Sequence, residues 1–242
     1  MNQDEPTIRV LIPMLGRAHL VAPLVENLRS TAEAPILFLC SPDDHDVIVE
    51  CNRSKEDVIV VDWAPGRADY AKKINLGYRE TAEPWIFTGA SDLVFHPRWH
   101  NLALMVAGRV GAGVIGTQDK GNPYVLRGLQ STHSLVSRDY ITQFGGATFD
   151  RTGVVYSETY DHQYIDIELV ETAKLRKQWA FSKRSVVEHR HPAWDGAPVD
   201  ETYKKAWRES VQDHQLYQRR MARCRTLYAR SEKRAKRRAP AR

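Results

Sequence analysis

Three short segments of this 242-residue chain hold residue types whose spacing could do chemistry. The first, Trp85 to Trp99, reads WIFTGASDLVFHPRW: an apolar run delivers one acid, Asp92, at a turn, followed by Phe95, Pro97 and Trp99. A carboxylate so placed can hold Mg²⁺ or Mn²⁺, hard cations that bind through one or two carboxylates and complete their shell with phosphate oxygens. The same Asp alone would serve equally as a helix cap. The second, Tyr160 to Leu169 (YDHQYIDIEL), carries Asp161, Asp166 and Glu168. A carboxylate within hydrogen-bond reach of a hydroxyl can take its proton as the oxygen attacks, and acids at a helix start also simply favour the helix dipole. The third is Glu188-His189-Arg190-His191-Pro192. Two histidines at i and i+2 project from one face of a strand, and imidazole suits Mn²⁺ better than Mg²⁺. Neither His189 nor His191 is favoured as the ligand.

Several chemistries are excluded. The chain has no Gly-x-x-x-x-Gly-Lys-Ser/Thr and no Gly-x-Gly-x-x-Gly, so neither a P-loop nor a dinucleotide fingerprint is present. It has no Gly-x-Ser-x-Gly nucleophile elbow. The remaining histidines show no spacing for a separate zinc site. Cys40, Cys51 and Cys224 make an odd set without a Cys-x-x-Cys pair, which argues against a disulfide framework. The polar, acidic start Met1-Asn2-Gln3-Asp4-Glu5 lacks the features of a secretory signal, so a cytoplasmic protein is expected. No run approaches the ~18 apolar residues of a membrane span.

The elements that must position these groups are legible in the apolar pattern. Thr7–Met14, Pro35–Cys40, Val58–Trp63 and Trp85–Phe87 are β-branched or apolar runs closed by turn formers. Helical spacing fills Arg17–Thr31 and Tyr70–Thr81 between them. This alternation predicts an α/β domain with a mostly parallel sheet flanked by helices. Ligands in such sheets sit beyond the carboxyl ends of the strands, where Ser41–Asp44 and Ser91-Asp92 would converge. The second half is less regular, with helices expected at Trp99–Val110, Arg138–Phe144 and Ile165–Leu175. Its strands are expected at Val114–Gly116, Thr132–Val136 and within Phe181–His191, and Gly145-Gly146 caps a helix.

Trp85–Trp99 resembles the metal-binding signature of glycosyltransferases with the Rossmann-like GT-A fold, above all the inverting family 2. Ile8–Arg17 (IRVLIPMLGR) resembles that family's first strand, and Gly66–Gly77 (GRADYAKKINLG) the segment before its acidic motif. Gly145–Asp150 is similar to its glycine turn. The resemblance covers about residues 7–195. It implies a nucleotide-sugar-dependent hexosyltransferase-like enzyme with a divalent metal, Mn²⁺ or Mg²⁺, and a nucleoside-diphosphate sugar as donor. Asp166 would be the general base, ahead of Asp161 and Glu168. Asp92, with His189 or His191, would hold the metal. Donor binding falls to Pro13, Ser41, Asp43, Arg67, Lys73, Ser91 and Asp92, with Arg17 and Lys72 as further phosphate cations. Gly89 and Ser91 stand where the family commonly has Asp, and Cys40-Ser41 replace its base-binding Asp. The acceptor is left open: protein, glycan, lipid or modified nucleobase. Two other readings stand beside this one: a non-catalytic sugar- or nucleotide-binding protein on a degenerate GT-A scaffold, and a carrier docking on nucleic acid.

Charge divides the chain. Tyr203–Arg242 holds fourteen Lys/Arg against Glu209, Asp213 and Glu232, a net +11 that leaves −6 for residues 1–202 out of a total of +5. Residues 1–200 are therefore expected to form the catalytic domain, with a nucleotide-sugar half at 1–100 and an acceptor half at 101–200. Residues 201–242 are expected to form a basic C-terminal helix and tail, following Pro198-Val199-Asp200 and ending at Pro240. Trp207, Val211, His214, Tyr217, Met221, Cys224 and Tyr228 mark its expected packing face, against the domain or a second subunit in a homo-oligomer. Beyond Tyr228 the segment has no apolar face and should be solvated.

Overall fold

The computed structural model describes residues 8–147, 152–194, 199 and 201–238. Thr148–Asp150 of the glycine turn, and Pro198, Asp200 and Pro240 around the tail, lie outside the described residues. Eight strands form one sheet: β1 (Ile8–Pro13), β2 (Ile36–Cys40), β3 (Asp57–Val60), β4 (Trp85–Thr88), β5 (Leu93–Phe95), β6 (Val114–Gln118), β7 (Ser134–Ser137) and β8 (Trp179–His189). The order is β3-β2-β1-β4-β7-β6-β8-β5. The pairs β3–β2, β2–β1, β1–β4 and β6–β8 are parallel, and β4–β7, β7–β6 and β8–β5 antiparallel. The sheet is thus parallel through its first half and mixed beyond β4.

Helices α1 (Val21–Thr31), α2 (His45–Arg53) and α4 (Trp99–Val110) cover one face. Helices α3 (Asp69–Glu80), α6 (Arg138–Phe144) and α7 (Ile165–Leu175) cover the other, and a single turn, α5 (Pro123–Leu126), follows β6. The alternation of β1 assigns its side chains: Val10 and Ile12 pack with α1 and Phe38, while Leu11 points to α3 with Leu37 and Leu39. A strand buried on both faces reads as an unbroken apolar run, as in residues 10–13, and the one polar residue of β1, Arg9, is paired with Glu83 and Asp57. A Cβ at Gly77 of α3 would lie 2.9 Å from a Leu11 methyl, so glycine lets that helix lie close on β1.

Three elements escaped the sequence reading, the short α5 among them. His45–Arg53 forms α2 directly after the Ser41–Asp44 turn, its Val47 and Cys51 buried against β2. Leu93–Phe95, expected as a turn into a helix, is an edge strand antiparallel to the end of β8. Val58–Trp63 was expected as one strand, but β3 ends at Val60.

The last helix, α8 (Glu201–Arg238), runs unbroken. Its packed ridge begins later than expected. Met221 and Cys224 are buried and Tyr217 and Tyr228 partly so, but Trp207 and Val211 are exposed, and the ridge instead includes Asp213 and Leu216. Among the described residues no helix is long and apolar enough to cross a membrane.

Candidate active site

The strand order reverses around β1: the connection through α1 leads to β2 on one side, and that through α3 leads to β4 on the other. A crevice at the carboxyl ends of two such strands is the usual ligand position in an open α/β sheet. A cleft of about 410 Å³ opens there. Its walls are Pro13–Leu15 and Arg17 after β1, Ala90–Asp92 after β4, His133 before β7, Asp161–Ile167 leading into α7, His189 and His191 at the end of β8, Trp194, and Tyr203 from the first turn of α8.

Asp92 is the polar centre of the cleft. Its Oδ2 accepts from Arg17 Nη1 at 2.6 Å and from the Tyr203 hydroxyl at 2.7 Å. Its Oδ1 lies 3.3 Å from His189 Nε2 and is otherwise buried without a hydrogen bond. Burial alone would raise this carboxyl, but His189, Arg17 and Tyr203 outweigh it and hold it well below the usual carboxylate range. His189 is shifted the opposite way. Burial pushes its imidazolium down, and Asp92, aided by Asp119, brings the net shift above the ordinary histidine value. His191 stacks on Trp194 at 4.1 Å and meets the Tyr203 ring edge-on at 4.8 Å, so it forms cleft wall beside His189.

Asp166 sits in the first turn of α7 and lines the same cleft. Burial pushes its carboxyl up to about 6, only partly countered by the N–H groups of Ile167 and Asp166 itself and by His189. The turn that presents it is strained: Tyr164, just before α7, has φ +68°, an uncommon value for a bulky side chain. Helix α8 holds this turn in place. Asp213 of α8, buried, accepts the backbone N–H groups of Asp161, His162 and Gln163 at 2.8, 2.8 and 2.7 Å. His214 and Tyr217 stack on the Tyr164 ring at 5.1 and 5.3 Å.

The structure brings Pro13, Arg17, Ser91, Asp92, Asp161, Asp166, His189 and His191 into one cleft wall, and it places Ser41, Asp43, Arg67, Lys72, Lys73 and Glu168 outside that wall. Lys73 is fully buried, its ammonium donating to Met14 O and Ser41 Oγ at 2.7 Å and paired with Asp69 at 2.7 Å. Those three acceptors match its three donors, so Lys73 and Ser41 join β1 and β2 to α3. Asp43 is exposed. Arg67 donates to Thr159 O at 2.6 Å and pairs with Asp161, tying down the loop that leads to Asp166. Arg17 is the one Lys or Arg of the cleft wall among the described residues.

Three site residues escaped the sequence reading. His133 is buried, with Nδ1 2.7 Å from Thr88 O and its ring 5.1 Å from that of His189. Burial, then the neighbouring His189, pushes it down to about 3, so it is neutral. Tyr203 and Asp213 stand in a segment legible only as a basic amphipathic helix. No spacing in the sequence marks any of the three.

A divalent cation fits this donor set. Among the described residues no cluster of three or more His, Cys, Asp or Glu is present, so any cation would rest on few protein ligands and on oxygens of its substrate. Asp92 Oδ1 and His189 Nε2 are 3.3 Å apart. Neighbouring ligands of an octahedral ion with bonds of about 2.1 Å lie roughly 3 Å apart. The orphaned oxygen and the imidazole are therefore spaced as a pair of adjacent ligands.

No family model matches the sequence, and no curated protein matches it. Solved structures do match in fold. A mannosyltransferase from Pyrobaculum calidifontis, in complex with GDP-Man and Mn²⁺, superposes with a TM-score of 0.66 at 13% identity, over 87% of this chain and 62% of that one. Glucosyl-3-phosphoglycerate synthase from Mycobacterium tuberculosis, in complex with Mn²⁺, UDP-Glc and phosphoglyceric acid, gives 0.55 at 15% identity, over 81% of each chain. The same synthase with Mn²⁺, UDP and phosphoglyceric acid gives 0.53 at 16% identity, over 77% and 71%. This chain thus spans less than two thirds of the mannosyltransferase. The likeness gives it the GT-A fold of glycosyltransferases, as its strand and turn residues led one to expect.

Proposed function

We propose that the protein is an inverting, metal-dependent glycosyltransferase that moves a sugar from a nucleoside-diphosphate sugar to an acceptor hydroxyl. One observation carries the reading. Two carboxylates in one cleft are pushed apart in acidity, Asp166 up to about 6 and Asp92 well down. Such divergence separates a proton acceptor from a permanent charge. The GT-A fold supports it, as do the Mn²⁺ and nucleotide sugars in the solved structures named above.

In this reading Asp166 takes the proton of the acceptor hydroxyl as its oxygen attacks the anomeric carbon and the bond from that carbon to the diphosphate breaks. Asp92 and His189 would hold the divalent cation, which would supply the positive charge that a departing nucleoside diphosphate needs. Arg17 adds a second positive charge on the same side of the cleft. The rings of Tyr70, Tyr156 and Trp194 line part of the remainder, beside the polar Asn122, Gln130 and Thr132. The buried thiols Cys40, Cys51 and Cys224, none in a disulfide, fit a reducing compartment, the cytoplasm.

The test is release of nucleoside diphosphate from common UDP- and GDP-sugars, with and without Mn²⁺ and with no acceptor added. Mn²⁺-dependent release from at least one donor is expected, lost in Asp92→Ala. No release from any donor, together with no Mn²⁺-dependent nucleotide binding, overturns the reading.

A further inference from the structure

Among the acids of the cleft wall, Asp69, Asp92 and Asp161 are already paired, with Lys73, Arg17 and Arg67. The net positive charge of the molecule lies in its last forty residues, most of them in α8, and its arrangement there is regular.

Lys204, Arg208, Arg219, Arg223 and Arg230 are all exposed, and their spacings of 4, 11, 4 and 7 are whole turns of a helix. At 100° and 1.5 Å per residue they fall within about 100° of arc along about 39 Å. This stripe lies opposite the ridge of Asp213, Tyr217, Met221, Cys224 and Tyr228 that packs on the domain. Between the arginines the stripe shows exposed Gln212, Gln215, Ala222 and Thr226; exposed Trp207 and Val211 border it on one side and Leu227 on the other, and these three make no continuous apolar face. From Lys204 to Arg230 the sequence has two acids, Glu209 and Asp213, and Asp213 is buried against the cleft loop. The stripe also starts beside the cleft, since Tyr203 lines the cleft mouth and Lys204 follows it.

We infer that the solvent face of α8 is a docking surface for a nucleic-acid backbone. A row of guanidiniums on a straight rod matches a polymer with regularly spaced phosphates, each a bidentate target for arginine. An anionic membrane is the weaker match, because a membrane-lying helix needs an apolar face next to its cations. The inference rests on charge and helix geometry and stands apart from the reading of the cleft.

The test is fluorescence anisotropy of a labelled 30-base-pair DNA duplex with the full chain, from 50 to 300 mM NaCl. Three proteins are compared: wild type, a stripe variant (Arg208→Gln, Arg219→Gln, Arg223→Gln, Arg230→Gln), and a charge-matched control at exposed arginines elsewhere (Arg53→Gln, Arg79→Gln, Arg98→Gln, Arg109→Gln). The wild type is expected to bind with steep salt dependence. The stripe variant should bind at least 30-fold more weakly, its log–log salt slope reduced by about 3–4, since each phosphate contact contributes about 0.9. The control should stay within threefold of wild type, with melting temperatures alike in all three. No duplex binding by wild type, or equal weakening in both variants, overturns the inference. So does preferential binding to phosphatidylcholine/phosphatidylserine vesicles. Donor hydrolysis, measured in parallel, should be unchanged in the stripe variant. Its absence in every protein sinks the glycosyltransferase reading and leaves stripe-dependent binding to stand or fall separately.

Discussion

At Asp166 burial meets no cation strong enough to offset it, whereas at Asp92 three donors converge on the carboxylate. The consequence for Asp166 has a definite sign. Activity that needs its ionised form should fall as pH drops through about 6, and Asp166→Asn should lower transfer by about 10²–10⁴-fold while donor binding persists. Because burial raises the folded-state carboxyl, protonation favours folding. The stability from this group is full below the ordinary Asp value and is lost as pH rises through about 6. Asp166→Asn should therefore raise the melting temperature at pH 7 and leave it nearly unchanged at pH 3.5; a lower melting point at pH 7 would remove the burial argument. Packing against β1 accounts for one of the two missing acids, the one at Gly89. A Cβ there would sit 2.5 Å from Ile12 Cδ1 and 3.0 Å from Leu11 O, so any side chain would force Ile12 and the β1 backbone to give way. Gly89→Asp should destabilise the fold by about 1–3 kcal/mol without tightening Mn²⁺ binding, measured by thermal melts and Mn²⁺ titration.

Among the elements, α8 does what the catalytic reading of residues 1–200 alone would not suggest: it fixes the turn that presents Asp166. Three backbone N–H groups end on one Asp213 carboxylate, and two rings of α8 cover the left-handed Tyr164. Asp213→Ala strands those donors, which costs roughly 1–3 kcal/mol for an unsatisfied buried group, and it frees the loop before α7. The expected result is a lower melting temperature and a kcat reduced about tenfold or more, with donor KM little changed. Asp213→Asn, which keeps one acceptor oxygen, should fall between. Equal loss of donor affinity would place Asp213 in general stability alone. Every strand but β5, and α1, α3, α4, α6 and α7, were legible because each buries an apolar face with a local period, and Asp92, Asp166 and the His189/His191 pair stood out as candidates because each interrupts such a pattern with a polar group at a strand end or helix start. Tyr203, Asp213 and His133 were illegible, since each acts through partners 45 to 111 residues away. Lys73 read as a phosphate cation for the same reason: nothing local reveals that Met14, Ser41 and Asp69 occupy its ammonium.

On the scale of the whole molecule, α8 is at once packed on the sheet-bearing domain and the carrier of most of its net positive charge, and two truncations separate these roles. Ending the chain at Asp200 removes Met221 and Cys224, each 1% exposed, from the interior. It takes Arg220 from Glu168, which is itself 1% exposed and whose Oε1 accepts from Arg220 Nε at 2.7 Å. Breaking a buried pair from one side costs about 3–5 kcal/mol, because the remaining charge is left without compensation. It also takes the Tyr228 hydroxyl from Arg176, which otherwise holds the carbonyls at Phe144 and Gly145 after α6. With the Asp213 contacts gone as well, the losses are comparable to the whole stability of an ordinary domain, about 5–15 kcal/mol. The shorter chain should therefore be insoluble or show no cooperative melt. Ending the chain at Ser231 spares every one of these contacts and keeps Arg208, Arg219, Arg223 and Arg230. It should melt like the full chain and hydrolyse donor at the same rate, while its DNA binding should weaken but persist, because six Lys/Arg of residues 232–242 are lost and the stripe remains. A lower melting temperature for that chain would show that the last turns of α8 pack on the domain, and complete loss of duplex binding would move the docking surface from the stripe to the terminal basic cluster.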